Sequence, residues 1–417
     1  MRKLGVVAAI AVTLTAAGAT SAQAEGTSAQ VAGLDNPDRI AGSYIVVLEE
    51  GAAVSQAVDS ARGRLGVDVG HVYRSAVRGY SARMSQAAAE RLAQAPGVAS
   101  VQADSRVEAT AQSTPTGINR ANADASPTAA IDGADQRVNV DVAVVDTGVD
   151  LDHPDLNVYR QGATNCALLG ISPDDQNGHG THVSGTIGAL DNAQGVVGMA
   201  PGARIWPVKV LNAAGVGSTS DVICGIDYVT AHADQIEVAN MSLGGGGEDD
   251  GNCGRSNGDA QHQAICASVA AGVTYAVAAG NDSADAAEST PAAYDEVITV
   301  SALADFNGQP GGGAAPTCRQ DVDDTFADFS NYGSDVDLVA PGTCITSTWM
   351  GGGYDTISGT SMASPHVAGG AALYAANNPG ASPAQVQSAL ESAGSSDWNA
   401  VDDPDNTKEP LLDVTGF

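Results

Sequence analysis

Three short segments of this sequence hold residues whose types and neighbours suit the opening of an acyl bond. Asp146 ends an apolar run in Val144-Val145-Asp146-Thr147-Gly148-Val149, His179 sits in Asn177-Gly178-His179-Gly180-Thr181-His182-Val183, and Ser361 sits in Ser358-Gly359-Thr360-Ser361-Met362-Ala363-Ser364-Pro365-His366-Val367. A serine hydroxyl is a weak nucleophile at neutral pH. It needs an imidazole to take its proton, and the imidazole needs a carboxylate to fix its tautomer. A fourth residue, Asn281, follows the run Tyr275-Ala276-Val277-Ala278-Ala279-Gly280. Its side-chain amide, with the N–H of Ser361 at a helix start, would supply two donors to a developing oxyanion.

Each segment also has a plainer meaning. Asp-Thr-Gly is a common turn, and the aspartic proteases that use it need a second such triplet, which this sequence lacks. His179 and His182 at i, i+3 would suit a metal, yet no Glu-x-x-His companion exists, so zinc is not expected. Gly-Thr-Ser can simply cap a helix. The four together, in the order Asp, His, Asn, Ser, outweigh these separate readings.

Elements must bring the four together. From Val138 the chain alternates short continuous apolar runs with turn residues and helical stretches; the runs are Val140–Val145, Arg204–Leu211, Glu237–Leu243, Val273–Ala279 and Val297–Ser301. Runs without polar alternation predict strands buried on both faces, hence a mostly parallel α/β sheet flanked by helices. In such sheets ligands gather outside the carboxyl ends of the strands, where Asp146 and Asn281 fall. Ahead of this lies a smaller unit with strands at Tyr44–Leu48, Val69–Ser75, Gly79–Met84 and Val98–Ala103 and helices over Val54–Leu65 and Gln86–Ala95. That β-α-β-β-α-β order predicts a ferredoxin-like α+β domain. Residues 106–117 have the polar, small-residue composition of a linker open to proteolysis.

Composition sets the context. Arg2 and Lys3, the apolar run Leu4–Ala19 and the small-x-small triplet Ala22-Gln23-Ala24 predict a secretory signal over residues 1–24, too short and too rich in Ala and Thr for a span of ~20 strongly apolar residues. Residues 25–110 then form a propeptide and 111–417 the mature domain. Export to an oxidising compartment makes Cys166, Cys224, Cys253, Cys266, Cys318 and Cys344 disulfide partners and not metal ligands. Of the fifteen possible pairings the sequence chooses none; joining near neighbours gives Cys253–Cys266 and Cys318–Cys344 and leaves Cys166–Cys224. The formal charge of -31 lies almost wholly in the mature part, whose basic residues are Arg120, Arg137, Arg160, Arg204, Lys209, Arg255, Arg319 and Lys408. Such a surface repels nucleic acid and anionic membranes, so neither is an expected partner. No Rossmann fingerprint or P-loop is present.

On these motifs the chain resembles the subtilisin family of serine proteases (subtilases), in particular the extracellular, disulfide-containing branch of proteinase K and aqualysin. The Asp-His-Ser order is that of subtilisin. Residues ~112–417 resemble the protease, and residues 44–104 resemble the inhibitory I9-type propeptide. The resemblance implies that Asp146 orients the imidazole, His179 is general base and then acid, Ser361 attacks, and Asn281 stabilises the oxyanion. It makes His182 and His366 structural. It implies a secreted, monomeric endopeptidase of broad specificity, acting on proteins through an acyl-enzyme, inhibited by its own propeptide and released by self-cleavage within Val107–Ser113. An esterase or amidase with the same triad is the alternative, and a catalytically silent binding protein a third reading.

The same resemblance places an extended peptide between Asn212–Gly217, with Gly215 and Gly217, and Ser242–Gly245, with Ser242, Leu243 and Gly244. Ala278 and Gly280 would wall a P1 pocket roomy enough for large apolar residues. For Ca²⁺ it assigns the side chains of Asp155 and Asn192, the carbonyls of Leu190, Gln194 and Val196, and Gln112 near the mature start. A second site would use Asp337 with the carbonyls of Asp295 and Val297. Oxygen ligands of this number suit Ca²⁺ in a stabilising role.

Overall fold

A computed structural model of the chain describes residues 31–34, 36, 39–65, 67–105, 111–167 and 172–417. The expected signal and residues 106–110 of the expected linker lie outside these residues. The chain divides into two compact units, one up to Ala109 and one from Thr110.

In the first unit the strands β1 (Arg39–Leu48), β2 (Asp68–Tyr73), β3 (Gly79–Arg83) and β4 (Val98–Ser105) and the helices α1 (Val54–Leu65) and α2 (Gln86–Ala93) follow the β-α-β-β-α-β order. The sheet runs β2-β3-β1-β4, and β1 pairs antiparallel with both β3 and β4. Along β1 buried residues alternate with more exposed ones, Tyr44, Val46 and Leu48 pointing inward. One face therefore meets the core formed with Val58, Ala89 and Val101. Ser85 caps α2, its side chain accepting the Ala88 N–H.

The second unit contains, in order, α3 (Thr116–Arg120), β5 (Asp141–Asp146), β6 (Thr164–Asn165), α4 (His179–Gly188), β7 (Arg204–Lys209), α5 (Thr219–Ala231), β8 (Val238–Met241), β9 (Gly245–Gly246), α6 (Ala260–Ala270), β10 (Thr274–Ala278), β11 (Ser289–Thr290), β12 (Ile298–Ala304), β13 (Thr325–Phe326), β14 (Leu338–Pro341), β15 (Ile345–Trp349), β16 (Gly353–Ile357), α7 (Thr360–Asn377) and α8 (Pro383–Ala393). Its main sheet runs β13-β12-β10-β8-β5-β7-β6, with β14 also paired to β12. Every pairing is parallel except that of β12 with β13. All residues of β5, β8, β10 and β12 are buried, the pattern expected of strands covered on both faces. Two apolar cores result. One joins alternate β5 residues Val142 and Val144 to α4 and α7, and the other joins Ala143 and Val145 to α5 and α6.

All five predicted runs form strands with shifted ends: β8 loses three of the predicted residues, and β12 runs three residues further, to Ala304. The strand β14 was not foreseen, because Asp337 interrupts its short apolar run; neither was the hairpin β15–β16. The cysteines pair as Cys166–Cys224, Cys253–Cys266 and Cys318–Cys344.

Helix α7 crosses the middle of the first core, and every residue from Met362 to Leu373 is buried. Its neighbours approach so closely that only small residues fit. A Cβ on Gly369 would stand 2.3 Å from the Met199 Cβ. We expect Gly369→Val to cost about 1–3 kcal/mol by overpacking. Calorimetry of chain inactivated at Ser361 should show a lowered unfolding midpoint; an unchanged midpoint would contradict this packing.

Candidate active site

The construction begins with a carboxylate at the end of an apolar strand. Asp146 is fully buried, and a buried carboxylate is tolerated only when its oxygens are partnered. The Thr147 N–H donates to its Oδ1 at 2.6 Å. The His179 Nδ1–H reaches Oδ1 at 2.8 Å and Oδ2 at 3.0 Å. Burial by itself would lower the His179 pKa, but the Asp146 charge, its hydrogen bond and the Asp175 charge outweigh it, and the net displacement is upward. An imidazole held through Nδ1 keeps Nε2 available to take a proton.

Helix α4 lies against the turn after β5 because glycines permit it. A Cβ on Gly180 would stand 2.1 Å from the Gly148 carbonyl oxygen. The turn before α4 is organised by Asp175, itself buried. Its Oδ1 accepts from Thr147 Oγ1 at 2.9 Å, Asn177 N at 2.9 Å and Gly178 N at 3.0 Å. Its Oδ2 accepts from Thr181 N at 3.1 Å and Thr181 Oγ1 at 2.6 Å. Thr147 Oγ1 in turn accepts the Gly180 N–H at 2.9 Å. One carboxylate thus fastens the strand end of Asp146 to the helix start of His179. Beneath them the buried Lys209 donates to the Thr147 carbonyl. Burial lowers the Lys209 pKa, against the pull of Asp175, Asp146 and Asp174. Sequence reasoning passed over Asp175 and Lys209. The available signal for Asp175 was an acid a few residues ahead of a helix start, a capping pattern.

Ser361 stands at the second position of α7. Pro365 lies four residues on and has no N–H, so the Ser361 carbonyl loses its helical donor. Ser242 Oγ fills that place, donating to Ser361 O at 2.8 Å, and itself accepts from Asn240 Nδ2 at 2.9 Å. The Ser361 hydroxyl lies 3.4 Å from the Ser242 carbonyl oxygen. Ser242 therefore anchors the start of α7 as well as lining the groove.

Asn281 turns its Oδ1 to the Thr360 N–H at 2.9 Å and the Thr360 hydroxyl at 3.1 Å. Its Nδ2 has no hydrogen bond among the described residues. A Cβ placed on Gly359 would lie 3.7 Å from Ser361 N and 3.8 Å from Asn281 Nδ2. Both donors thus border the space beside Gly359, and a side chain there would intrude on them.

Two adjoining cavities share Leu243, Gly244, Gly245, Gly246 and Thr290. The first, about 530 Å³, is lined by His179, Gly215, Gly217 and Ser242 among others. The second, about 450 Å³, is lined by Ala278, Gly280, Asn281, Thr360 and Ser361, with Asp282, Asp285 and Glu288. All the groove residues named from the sequence fall in one or the other. The two further histidines lie apart in function. His182 donates from Nε2 to the Ile345 carbonyl at 2.9 Å and His366 from Nδ1 to the Met362 carbonyl at 2.8 Å. Burial pushes each down to about 4, so both are neutral.

The loop 190–196 brings its carbonyls together. Gln112 Nε2 donates to Leu190 O at 2.6 Å and to Val196 O at 3.0 Å. Asp155, buried beside them, accepts from Asn192 Nδ2 at 2.9 Å, Val196 N at 3.0 Å and Tyr354 OH at 3.2 Å. Burial raises its pKa despite these bonds. Asn192 Oδ1 accepts the Gln194 N–H at 2.9 Å, and Gln194 is exposed. At the other expected metal position, both oxygens of Asp337 already accept N–H groups, from Thr299 N at 2.7 Å and Gln387 Nε2 at 3.0 Å.

Comparison with known proteins agrees with the geometry. The model of the subtilase family matches residues 138–409, and that of the peptidase inhibitor I9 matches residues 43–110. The chain is similar to the extracellular serine proteinase of Thermus sp. (strain Rt41A), at 37% identity over 87% of each chain. It is 39% identical to subtilisin E of Bacillus subtilis (strain 168), over 76% of this chain and 75% of that one. Among solved structures, a cold adapted subtilisin-like serine proteinase is 34% identical with a TM-score of 0.51, covering 67% of this chain and 91% of that one. The buried aspartate, the imidazole it holds, the serine at the helix start and these matches meet in one conclusion: the chain belongs to the subtilase family and is a serine-type endopeptidase preceded by an I9 inhibitor domain.

Proposed function

We propose that the chain is secreted, cuts extracellular proteins with broad specificity through an acyl-enzyme, and is stabilised by calcium. The carboxylate–imidazole contact of Asp146 with His179 at 2.8 Å carries this reading. His179 takes the Ser361 proton as Oγ attacks the peptide carbonyl, and returns it to the leaving amine; Asp146 keeps the tautomer and balances the imidazolium. Asn281 Nδ2 and Ser361 N–H receive the oxyanion. The glycines at 215, 217 and 244–246 let an extended backbone pair on either side, and backbone pairing accepts most sequences. At P1 the apolar wall of Ala278 and Gly280 suits large apolar residues, and the rim of Asp282, Asp285 and Glu288 adds acceptance of Lys and Arg.

The I9 domain acts as intramolecular inhibitor and folding aid until the chain cuts itself within Val107–Ser113. Gln112 N and Ser113 N donate to Ala193 O at 3.2 Å and Gly195 O at 2.8 Å, so the cut falls before Gln112. For calcium, two carbonyls converging on one rotatable amide, beside a buried carboxylate, are the donor set a hard cation takes. Leu190, Val196, Gln112, Asp155 and Asn192, with the Gln194 carbonyl, would hold it there and restrain the loop against digestion. Asp337, which like Asp155 accepts at both oxygens, would make the second site with the carbonyls of Asp295 and Val297.

Three measurements test this. Organophosphate should label Ser361 and abolish casein cleavage, and purified Ser361→Ala precursor should stay uncut. Ester hydrolysis without casein cleavage would select the esterase reading instead, and a Ser361→Ala precursor that matured alone would refute self-cleavage. Asn281→Leu should lower kcat by about 10²–10³-fold with KM little changed, a magnitude known from subtilisin itself. His179 must be neutral to accept a proton, and its pKa lies above the ordinary 6.5. The acid limb of kcat/KM therefore rises through an apparent pKa above that value. Asp175→Asn removes part of the charge that raises it, so the limb should move to lower pH; a limb that stayed or rose would refute the electrostatic role.

A further inference from the structure

Residues near the C-terminus form a second group of oxygen donors, apart from the loop 190–196. We propose that Asp403, Asp405 and Glu409 bind a divalent cation of the calcium type. One carboxylate oxygen from each lies within 4.8 Å of the others. Asp403 is 4% exposed and Glu409 6%, and Asp403 Oδ2 and Glu409 Oε2 have no hydrogen-bond partner among the described residues. Nor does any basic side chain among those residues pair with the three. Lys408, their neighbour in sequence, turns instead over the Trp398 ring, 5.6 Å from its centroid.

Buried carboxylates left without partners are costly, and a coordinated cation is one of the few groups that relieves them. The loop prepares the donors. Asp405 N donates to Asp403 Oδ1 at 3.4 Å and Thr407 N to Asp405 Oδ1 at 2.7 Å, which leaves Asp403 Oδ2 and Glu409 Oε2 facing their common space. The set is all oxygen, with no cysteine or histidine, which selects a hard ion over zinc. Asp405 is half-buried and offers the way in from solvent.

An ion here would fasten the last turn of chain to the sheet. Trp398 Nε1 donates to the Glu409 carbonyl at 3.0 Å. Past Glu409, Leu411 exchanges hydrogen bonds with Ser395 at 2.8 and 2.9 Å, and Leu412 N donates to Val339 O of β14 at 2.9 Å. Trp398 and Leu411 share a small core with Leu303, Phe326 and Val339. The role is stability and not turnover.

The test counts ions on full-length Ser361→Ala chain after equilibrium dialysis at millimolar free Ca²⁺. Asp403→Asn/Glu409→Gln should bind one ion fewer and lose part of the calcium-dependent rise in unfolding midpoint, whether or not Asp155 is also replaced. Tryptophan-excited Tb³⁺ emission that Ca²⁺ displaces should fall in the same variant. Equal ion counts would overturn the proposal, as the carboxylates would then be sharing protons. Should the double variant fail to fold, Asp405→Asn decides, since it keeps both buried carboxylates. It should weaken Ca²⁺ binding at this site by about tenfold or more, and unchanged affinity would overturn the site.

Discussion

The burial of one carboxylate governs this molecule. Asp146 ends a strand whose every residue is buried, and a charge in that position must be answered at once. The answers come from the next residue's N–H and from an imidazole on the following helix. Helix α4 must therefore start against the end of β5, which requires Gly148 and Gly180 at their contact. Asp175 completes the arrangement by spending both of its oxygens on the two elements. The same demand that stabilises the fold holds the His179 imidazole through its Nδ1.

A second constraint fixes Ser361. Pro365 inside the first turns of α7 removes one helical hydrogen bond, and the freed Ser361 carbonyl is claimed by Ser242 from the end of β8. A defect in helix geometry thereby becomes a tether between the helix that bears the serine and the segment that borders the substrate. Thr360 does the same on the other side, orienting the Asn281 amide by donating twice to its oxygen. Ser361 and Asn281 are thus held by neighbours that are themselves hydrogen-bonded.

The contacts that build the protease unit are long-range. The parallel pairs join residues far apart in sequence, such as Val142 with Val238, and such topologies fold slowly. The first unit is antiparallel throughout and mixes short pairs, such as Val72 with Tyr80, with long ones, such as Tyr44 with Ala103. The second unit is the acidic one, since 39 of the 49 acids lie in it by position along the chain, and their mutual repulsion works against its compact state.

Local patterns carried most of the information. Unbroken apolar runs announced buried parallel strands, the β-α-β-β-α-β order announced the first unit, and the residues around Asp146, His179, Asn281 and Ser361 announced a serine protease, because each motif is contiguous. What the sequence left open depended on groups brought together from afar. Asp175 reads as an ordinary acid until Thr147 and Thr181 converge on it. Ser242 reads as a groove residue until Pro365, 123 positions on, leaves a carbonyl for it. Asp337 is a metal candidate by resemblance alone, and only the fold shows that Thr299 N and Gln387 Nε2 donate to its two oxygens. Asp403 and Glu409 belong to no motif, and only the fold buried them. Which residues could react was written in local order; which polar atoms would be satisfied, and which left wanting a partner, only tertiary structure decided, because burial removes the water that otherwise satisfies every polar atom alike.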